Sequence, residues 1–313
     1  MTRLPITLKS AGNTVFLVAL IVVAVAIEPT LLNERAIRNV LTTATPLILV
    51  AGGQAVVMLT GGVDLSVGSV LSLSNVLAAL LMQRWPDWAL LIAGACVLIG
   101  SGVGALNGWL VAYARLNAFI ITLAVGMAVQ GLTLSLMSEP AGRVPPGFRE
   151  LARAAVGPMP TATIAVAALF LLLGAWLRRT PSGIALFAIG GNEASARMSG
   201  VPTRRLSLSA YILSGALSAC SGLLLAARLS SGDPLVGDPY ALDSVTSAVL
   251  GGTSLVGGMI NLAGAFIAGI LLTLINTLLN LKGISPFFQW IVKGAMLIGT
   301  LSFDLLRRRL RAP

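Results

Sequence analysis

The sequence predicts an all-α, polytopic bundle of transmembrane helices, and three observations predict it. Hydrophobic residues make up 56% of the 313 positions and charged residues only 10%, against about one quarter charged in a soluble domain. Apolar runs recur along the whole chain at lengths suited to a bilayer, where a crossing helix needs about 20 residues. Histidine is absent and only two cysteines occur, Cys96 and Cys220, each inside an apolar run. That composition excludes an imidazole base, the usual serine, histidine and aspartate triad, a disulfide framework and a cysteine-rich zinc site. Residues 1–313 therefore read as one membrane domain with no cofactor and no enzymatic centre.

Ten apolar segments follow in order, at approximately 14–28, 40–60, 64–82, 88–113, 117–138, 160–177, 206–227, 243–256, 259–281 and 286–306. The first follows a tail with Arg3 and Lys9. Its Ala24-Val25-Ala26 resembles a signal cleavage site, but further spans follow at once, and the segment reads as an uncleaved first helix. The eighth run, of about fourteen residues, is short for the hydrocarbon core and reads as re-entrant or packed in the protein interior.

Ten crossings put both termini on one side of the membrane. The C-terminal tail carries Arg307, Arg308, Arg309 and Arg311, and the longest loop on that side, 178–206, carries Arg178, Arg179, Arg197, Arg204 and Arg205. With the N-terminal tail and Arg115, twelve basic residues lie there against eight in the opposite loops, which places both termini in the cytoplasm. The net charge of +10 then reports orientation and contact with anionic membrane lipid. It does not point to nucleic acid, because the few aromatic residues lie in apolar runs rather than beside the basic ones.

Residues 64–71, DLSVGSVL, echo 243–250, DSVTSAVL, and Asn107 followed by Phe119 is matched by Asn276 followed by Phe288. If these belong to two halves five crossings apart, the odd spacing inverts one half relative to the other, as in many transporters. Chance similarity between apolar segments is the competing explanation.

Four groups of residues are candidates for function. In GGVDLSVGS, residues 61–69, paired glycines open backbone angles closed to other residues, and Asp64 with Ser66 can cap the amides that begin the next helix. The motif is either a broken helix beside a translocation route or an ordinary interhelical turn. In GGNEASARMSG, residues 190–200, Asn192 is an N-cap, Glu193 suits the first turn, Arg197 follows four residues later, and Gly200 with Pro202 ends a short amphiphilic helix. That helix either docks on a soluble partner or rests on headgroups. GGTSLVGG, residues 251–258, permits a sharp turn, and Gly100, Gly104 and Gly108 recur at helical spacing as a close-packing face. Last come polar residues within spans: Gln54, Asn75, Asn107, Gln130, Asn276, Asn280, Gln289 and Lys293. They serve interhelical hydrogen bonds or a passing hydroxylated solute, and Lys293 is a candidate ion-pair partner for Asp64 or Asp243. No glycine run carries the lysine of a nucleotide-binding P-loop.

The blocks GGVDLSVGS at 61–69, NAFIITLAVGMAVQGLTL at 117–134, AIGGNEASARMSGV at 188–201, LDSVTSAVLGGTSLVGG at 242–258 and FFQWIVKGAMLI at 287–298 together resemble the ribose-type sugar permeases of bacterial ABC importers. The resemblance runs from about residue 37 to 304. It implies an inner-membrane subunit that works as a pair with a second permease copy, identical or not. Such a subunit receives a monosaccharide from a periplasmic sugar-binding protein and is driven by a separate cytoplasmic ABC ATPase. By the same resemblance Gly191 to Gly200 form the ATPase-coupling segment, including Ala194, Ala196 and Gly200, with Asn192, Glu193 and Arg197 as its polar face. Asp64, Ser66, Asn107, Asp243, Asn276 and Lys293 enter as translocation-path or structural candidates. Val63 and Met198 stand where Ile and Leu are usual, exchanges that disturb neither motif. The expected mechanism is alternating access driven by ATP. The competing readings are a secondary transporter coupled to protons or sodium, for which deep ionisable groups are few, and an intramembrane enzyme, for which Lys293 lacks a defined serine partner.

Overall fold

Every residue from Ala44 to Leu59 is buried, on all sides of one helix, which is the mark of a segment enclosed by other helices rather than by lipid. In the computed structural model, which describes residues 6–285 and positions 288–289, 291–292, 294–295 and 298–299, this helix is the centre of an all-α bundle. The helices are α1 (Ile6–Ile27), α2 (Glu34–Leu59), α3 (Val67–Arg84), α4 (Ala89–Ala112), α5 (Ala118–Leu136), α6 (Pro146–Arg153), α7 (Thr161–Arg179), α8 (Pro181–Gly191), α9 (Glu193–Met198), α10 (Thr203–Leu229), α11 (Asp238–Leu250) and α12 (Leu262–Leu281). A two-residue antiparallel hairpin, β1 (Ala155–Val156) with β2 (Met159–Pro160), joins α6 to α7.

Nine of the ten apolar segments fall on α1 to α5, α7 and α10 to α12. The tenth, 286–306, falls largely outside the described residues, as does Lys293. Among the described residues, α2, α3, α4, α5, α7, α10 and α12 are long and apolar enough to cross a bilayer. Their burial separates an inner group from an outer one. In α2, α3 and α10 the most apolar stretches are 83%, 67% and 72% buried, whereas in α4, α5 and α7 they are 22%, 22% and 28% buried. The outer helices turn residues such as Leu90, Leu98, Ile120, Met127, Leu171 and Leu172 outward, as lipid contact requires. The chain is a polytopic helical membrane protein.

Two local expectations are refined. Residues 243–250 of the eighth apolar run lie on α11 and 251–256 in the turn after it; the 13 residues of α11 extend about 20 Å at 1.5 Å each, short of the roughly 30 Å hydrocarbon core. The helix packs inside, on α2, α3 and α12. The region read as a single loop, 178–206, contains an unexpected apolar helix, α8, ahead of α9. Eleven residues are too few for a span, so hydropathy over a 20-residue window passes over it, yet Thr180 accepts from the Gly183 amide and starts it. The echo between 64–71 and 243–250 does not extend to local structure, because Asp64 lies in the turn before α3 and Asp243 lies within α11.

The α4–α10 contact is built on the glycines expected to pack. A Cβ at Gly100 would stand 2.6 Å from the Gly215 carbonyl oxygen and 2.7 Å from the Ala219 Cβ, and one at Gly104 would overlap the Tyr211 carbonyl. Only glycine permits this approach.

Candidate functional site

Six residues, Glu193–Met198, form α9, and a helix that short depends on its ends. Asn192 supplies the first: its side-chain oxygen accepts the Ser195 amide at 2.9 Å. Gly200 supplies the second, with a φ of +82°, and the Val201 amide closes back on the Ala196 carbonyl at 3.1 Å. Ala196 is buried and anchors the helix in the main core, while Gly191, Asn192, Glu193, Ala194, Arg197 and Gly200 are exposed. Glu193 and Arg197, four residues apart on that exposed face, do not form an ion pair. Glu193 instead accepts from the Thr203 hydroxyl at 3.2 Å, which ties α9 to the first residue of α10.

The turn ahead of α9 is jammed against two others. A Cβ at Gly190 would overlap the Leu59 carbonyl at the end of α2 and the Gly258 amide, and that amide donates to Leu59 at 3.0 Å. The glycines of 61–62, 190–191 and 257–258 thus meet in one place. Beside that junction lies a cavity of about 350 Å³ lined by Thr60, Gly61, Gly62, Arg115, Glu193, Arg197 and Tyr211, among others.

Deeper in the bundle, the turn between α2 and α3 is organised by Asp64, which is fully buried. One carboxylate oxygen accepts the Ser66 amide at 3.1 Å and the Ser66 hydroxyl at 2.7 Å. The other accepts the Ser214 hydroxyl of α10 at 2.9 Å. Asn107 of α4 donates to the Ser66 oxygen at 2.8 Å and approaches Asp64 at 3.5 Å. With its amide oriented to satisfy both atoms, Gln54 donates to the Asp64 carbonyl at 2.9 Å and accepts the Asp64 amide at 3.3 Å. Tyr211, also buried, donates to the Val63 carbonyl at 3.5 Å and stacks its hydroxyl on Gly62. Burying a carboxylate is costly unless its acceptor sites are filled, and here donors from α3 and α10 fill them. The node holds α2, α3, α4 and α10 to one another.

Asp64, Ser66 and Asn107 are therefore brought together. Asp243 lies on α11 and Asn276 on α12, both half-buried and apart from the node. Sequence reasoning missed Thr203, Tyr211 and Ser214. A usable signal was present: Ser207, Tyr211, Ser214, Ser218 and Ser221 recur at steps of four and three along α10, a polar seam on an otherwise apolar helix.

A family model described as a branched-chain amino acid transport system permease component matches residues 36–301. The chain belongs to this permease family. It is a transport component, not an enzyme. The permease is 34% identical over 304 residues to the ribose import permease protein RbsC of Escherichia coli K12, covering 95% of this chain and 94% of that one. It is 33% identical over 320 residues to the galactose/methyl galactoside import permease protein MglC of the same strain, with 96% and 95% covered. The L-arabinose ABC transporter permease protein AraH of Azospirillum brasilense is 31% identical over 304 residues, with 97% and 89% covered.

Proposed function

We propose that this permease is the inner-membrane subunit of a binding-protein-dependent ABC importer for a monosaccharide, with α9 as the element that seats in a cytoplasmic ATPase. The observation that carries the reading is α9 itself: a short, capped helix whose one buried residue fixes it to the core while Asn192, Glu193 and Arg197 stay exposed. The names of the relatives, for ribose, galactose and L-arabinose, support a small neutral sugar as cargo.

In this reading two permease subunits, identical or not, enclose the path, and a periplasmic sugar-binding protein delivers the cargo. ATP binding draws the ATPase subunits together, α9 moves with them, and the path opens first to the binding protein and then to the cytosol. No bond in the sugar changes. Arg178, Arg179, Arg197, Arg204 and Arg205 flank or lie on α9, and Arg115 lines the cavity beside it, a basic bias that supports a cytoplasmic location for the α9 end.

The test is uptake of radiolabelled D-ribose, D-galactose and L-arabinose into vesicles holding the permease, the ATPase and the binding protein. ATP-dependent uptake of one of them is expected, and the double variant Glu193→Ala with Arg197→Ala should hydrolyse ATP without matching uptake or capture less ATPase. Normal coupling in that variant would refute α9 as the docking element. Accumulation by the permease alone, abolished by an uncoupler, would refute the ATP-driven reading and favour ion coupling.

A further inference from the structure

The two ends of α9 are held differently. At its N-terminal side the chain is pinned where Gly190 meets Leu59 and Gly258, backbone against backbone. At its first residue it is tied to α10 by the bond from the Thr203 hydroxyl to Glu193, and at its C-terminal end it runs into α10 through the short turn 199–202. Beside it lies the cavity bordered by Thr60 to Gly62 on one side and by Glu193 and Arg197 on the other. A load on α9 therefore reaches the start of α10 by two routes, the Glu193 to Thr203 bond and the turn 199–202, while Gly190 stays fixed.

What α10 carries at its next turns is the holder of the α2–α3 break. Tyr211 and Ser214 lie eight and eleven residues beyond Thr203, or about 12 and 16 Å along a helix, and both grip residues 62–64. We infer that Thr203, Tyr211 and Ser214 are positioning residues that convey displacement of α9 to the buried Asp64 node, and so to the break between α2 and α3. This rests on the reading of α9 as the docking element.

The distances suit such a device. The Ser214 to Asp64 bond is 2.9 Å, so a shift of less than about 1 Å carries it beyond hydrogen-bond length. The α4–α10 seam cannot close further, since glycine backbones there are already in contact, and opening it forfeits that close packing. The available motion is sliding or rotation of α10, which acts on Ser214 and Tyr211 directly. Releasing Asp64 also loosens Ser66 and Asn107, because all share one set of hydrogen bonds. A small displacement at the surface thereby switches a cooperative network.

The test is amide hydrogen exchange on the whole importer, captured through its ATPase, with and without ADP and vanadate. Slowed exchange at residues 193–199 on ATPase addition reports docking and so checks the reading of α9 separately. For the relay, trapping the nucleotide state should raise exchange at the Ser66 amide, which Asp64 holds, about tenfold or more, while the Leu65 amide, held by Thr122, serves as the local control. Thr203→Val should reduce that response to less than about twofold with docking protection intact, and Thr203→Ser should restore it. Ser214→Ala should blunt it equally, and the Thr203→Val, Ser214→Ala pair should do no more than either alone. Independent sites this far apart would instead combine their effects. A full response in Thr203→Val, or additive losses in the pair, would overturn the relay. If Ser214→Ala fails to fold, the Thr203→Val and Thr203→Ser comparison decides alone.

Discussion

Alanine at Gly100 places a methyl group where none fits. Its Cβ would stand 2.6 Å from the Gly215 carbonyl oxygen, 2.7 Å from the Ala219 Cβ and 3.1 Å from a Val70 methyl. Restoring ordinary contact moves α4 and α10 apart by about 0.8 Å, or forces equivalent backbone shifts, and overpacking of this kind costs about 1–3 kcal/mol. The two nearest obstacles, the Gly215 carbonyl and the Ala219 Cβ, cannot rotate aside, so the expected loss for Gly100→Ala is in the upper part of that range. Gly102 is the control: it sits on the same helix, and a methyl group added there would meet nothing within 4 Å. Alanine at that position should gain up to about 1 kcal/mol from helix propensity. Denaturant titration of the purified permease in mixed micelles, followed by tryptophan fluorescence, measures both. Equal stability of Gly100→Ala and Gly102→Ala would refute the close-packed seam.

Asn192→Ala removes the side-chain acceptor for the Ser195 amide and should destabilise α9 by about 1 kcal/mol, read as faster hydrogen exchange confined to residues 195–199 and weaker capture of the ATPase. At the opposite end of the bundle, the Lys282 ammonium, 2.8 Å from Glu28, holds that carboxyl below its ordinary value of 4.5. This tie between α1 and α12 is complete above pH 4.5 and is lost as pH falls through the lowered value, since protonation removes the charge that the lysine favours. In Lys282→Met the Glu28 carboxyl should titrate at higher pH than in the native chain, measured by carbon NMR of labelled glutamate; an unchanged titration would remove Lys282 as the cause.

How much of this was legible in the sequence depends on distance along the chain. The α9 cap and stop were readable because Asn192, Ser195 and Gly200 act within a few residues of one another. Asp64 and Ser66 were read as caps for the start of α3, but Ser66, though it stands at the N-cap, makes no side-chain capping bond, and Asp64 instead takes the Ser66 amide and hydroxyl. Ser214, which completes the aspartate's shell, lies 150 residues from it, and nothing local to either residue names the other. The Gly100, Gly104 and Gly108 stripe announced a close contact but not its partner, since small residues record only that something approaches. The tie from Thr203 to Glu193 spans ten residues and an intervening turn, so the exposed polar face read for α9 did not reveal it. α8 was hidden by its length, and the surroundings of Asp243 and Asn276 depend on how α11 and α12 tuck against α2, which hydropathy does not encode.

The enclosure of α2 has a consequence for biogenesis. This helix leaves the ribosome early, with Gln54, a glycine pair and Pro46 among its buried residues, and the helix that covers it, α10, is made roughly 140 residues afterwards. At about 5–20 residues per second, α2 must wait on the order of ten seconds or more for its permanent neighbour. Until then the Pro46 carbonyl, which finally accepts from the Ser221 hydroxyl, and the glycine face that Ser214 covers need a temporary host, which makes this segment the one whose insertion should depend most on an insertase or membrane chaperone.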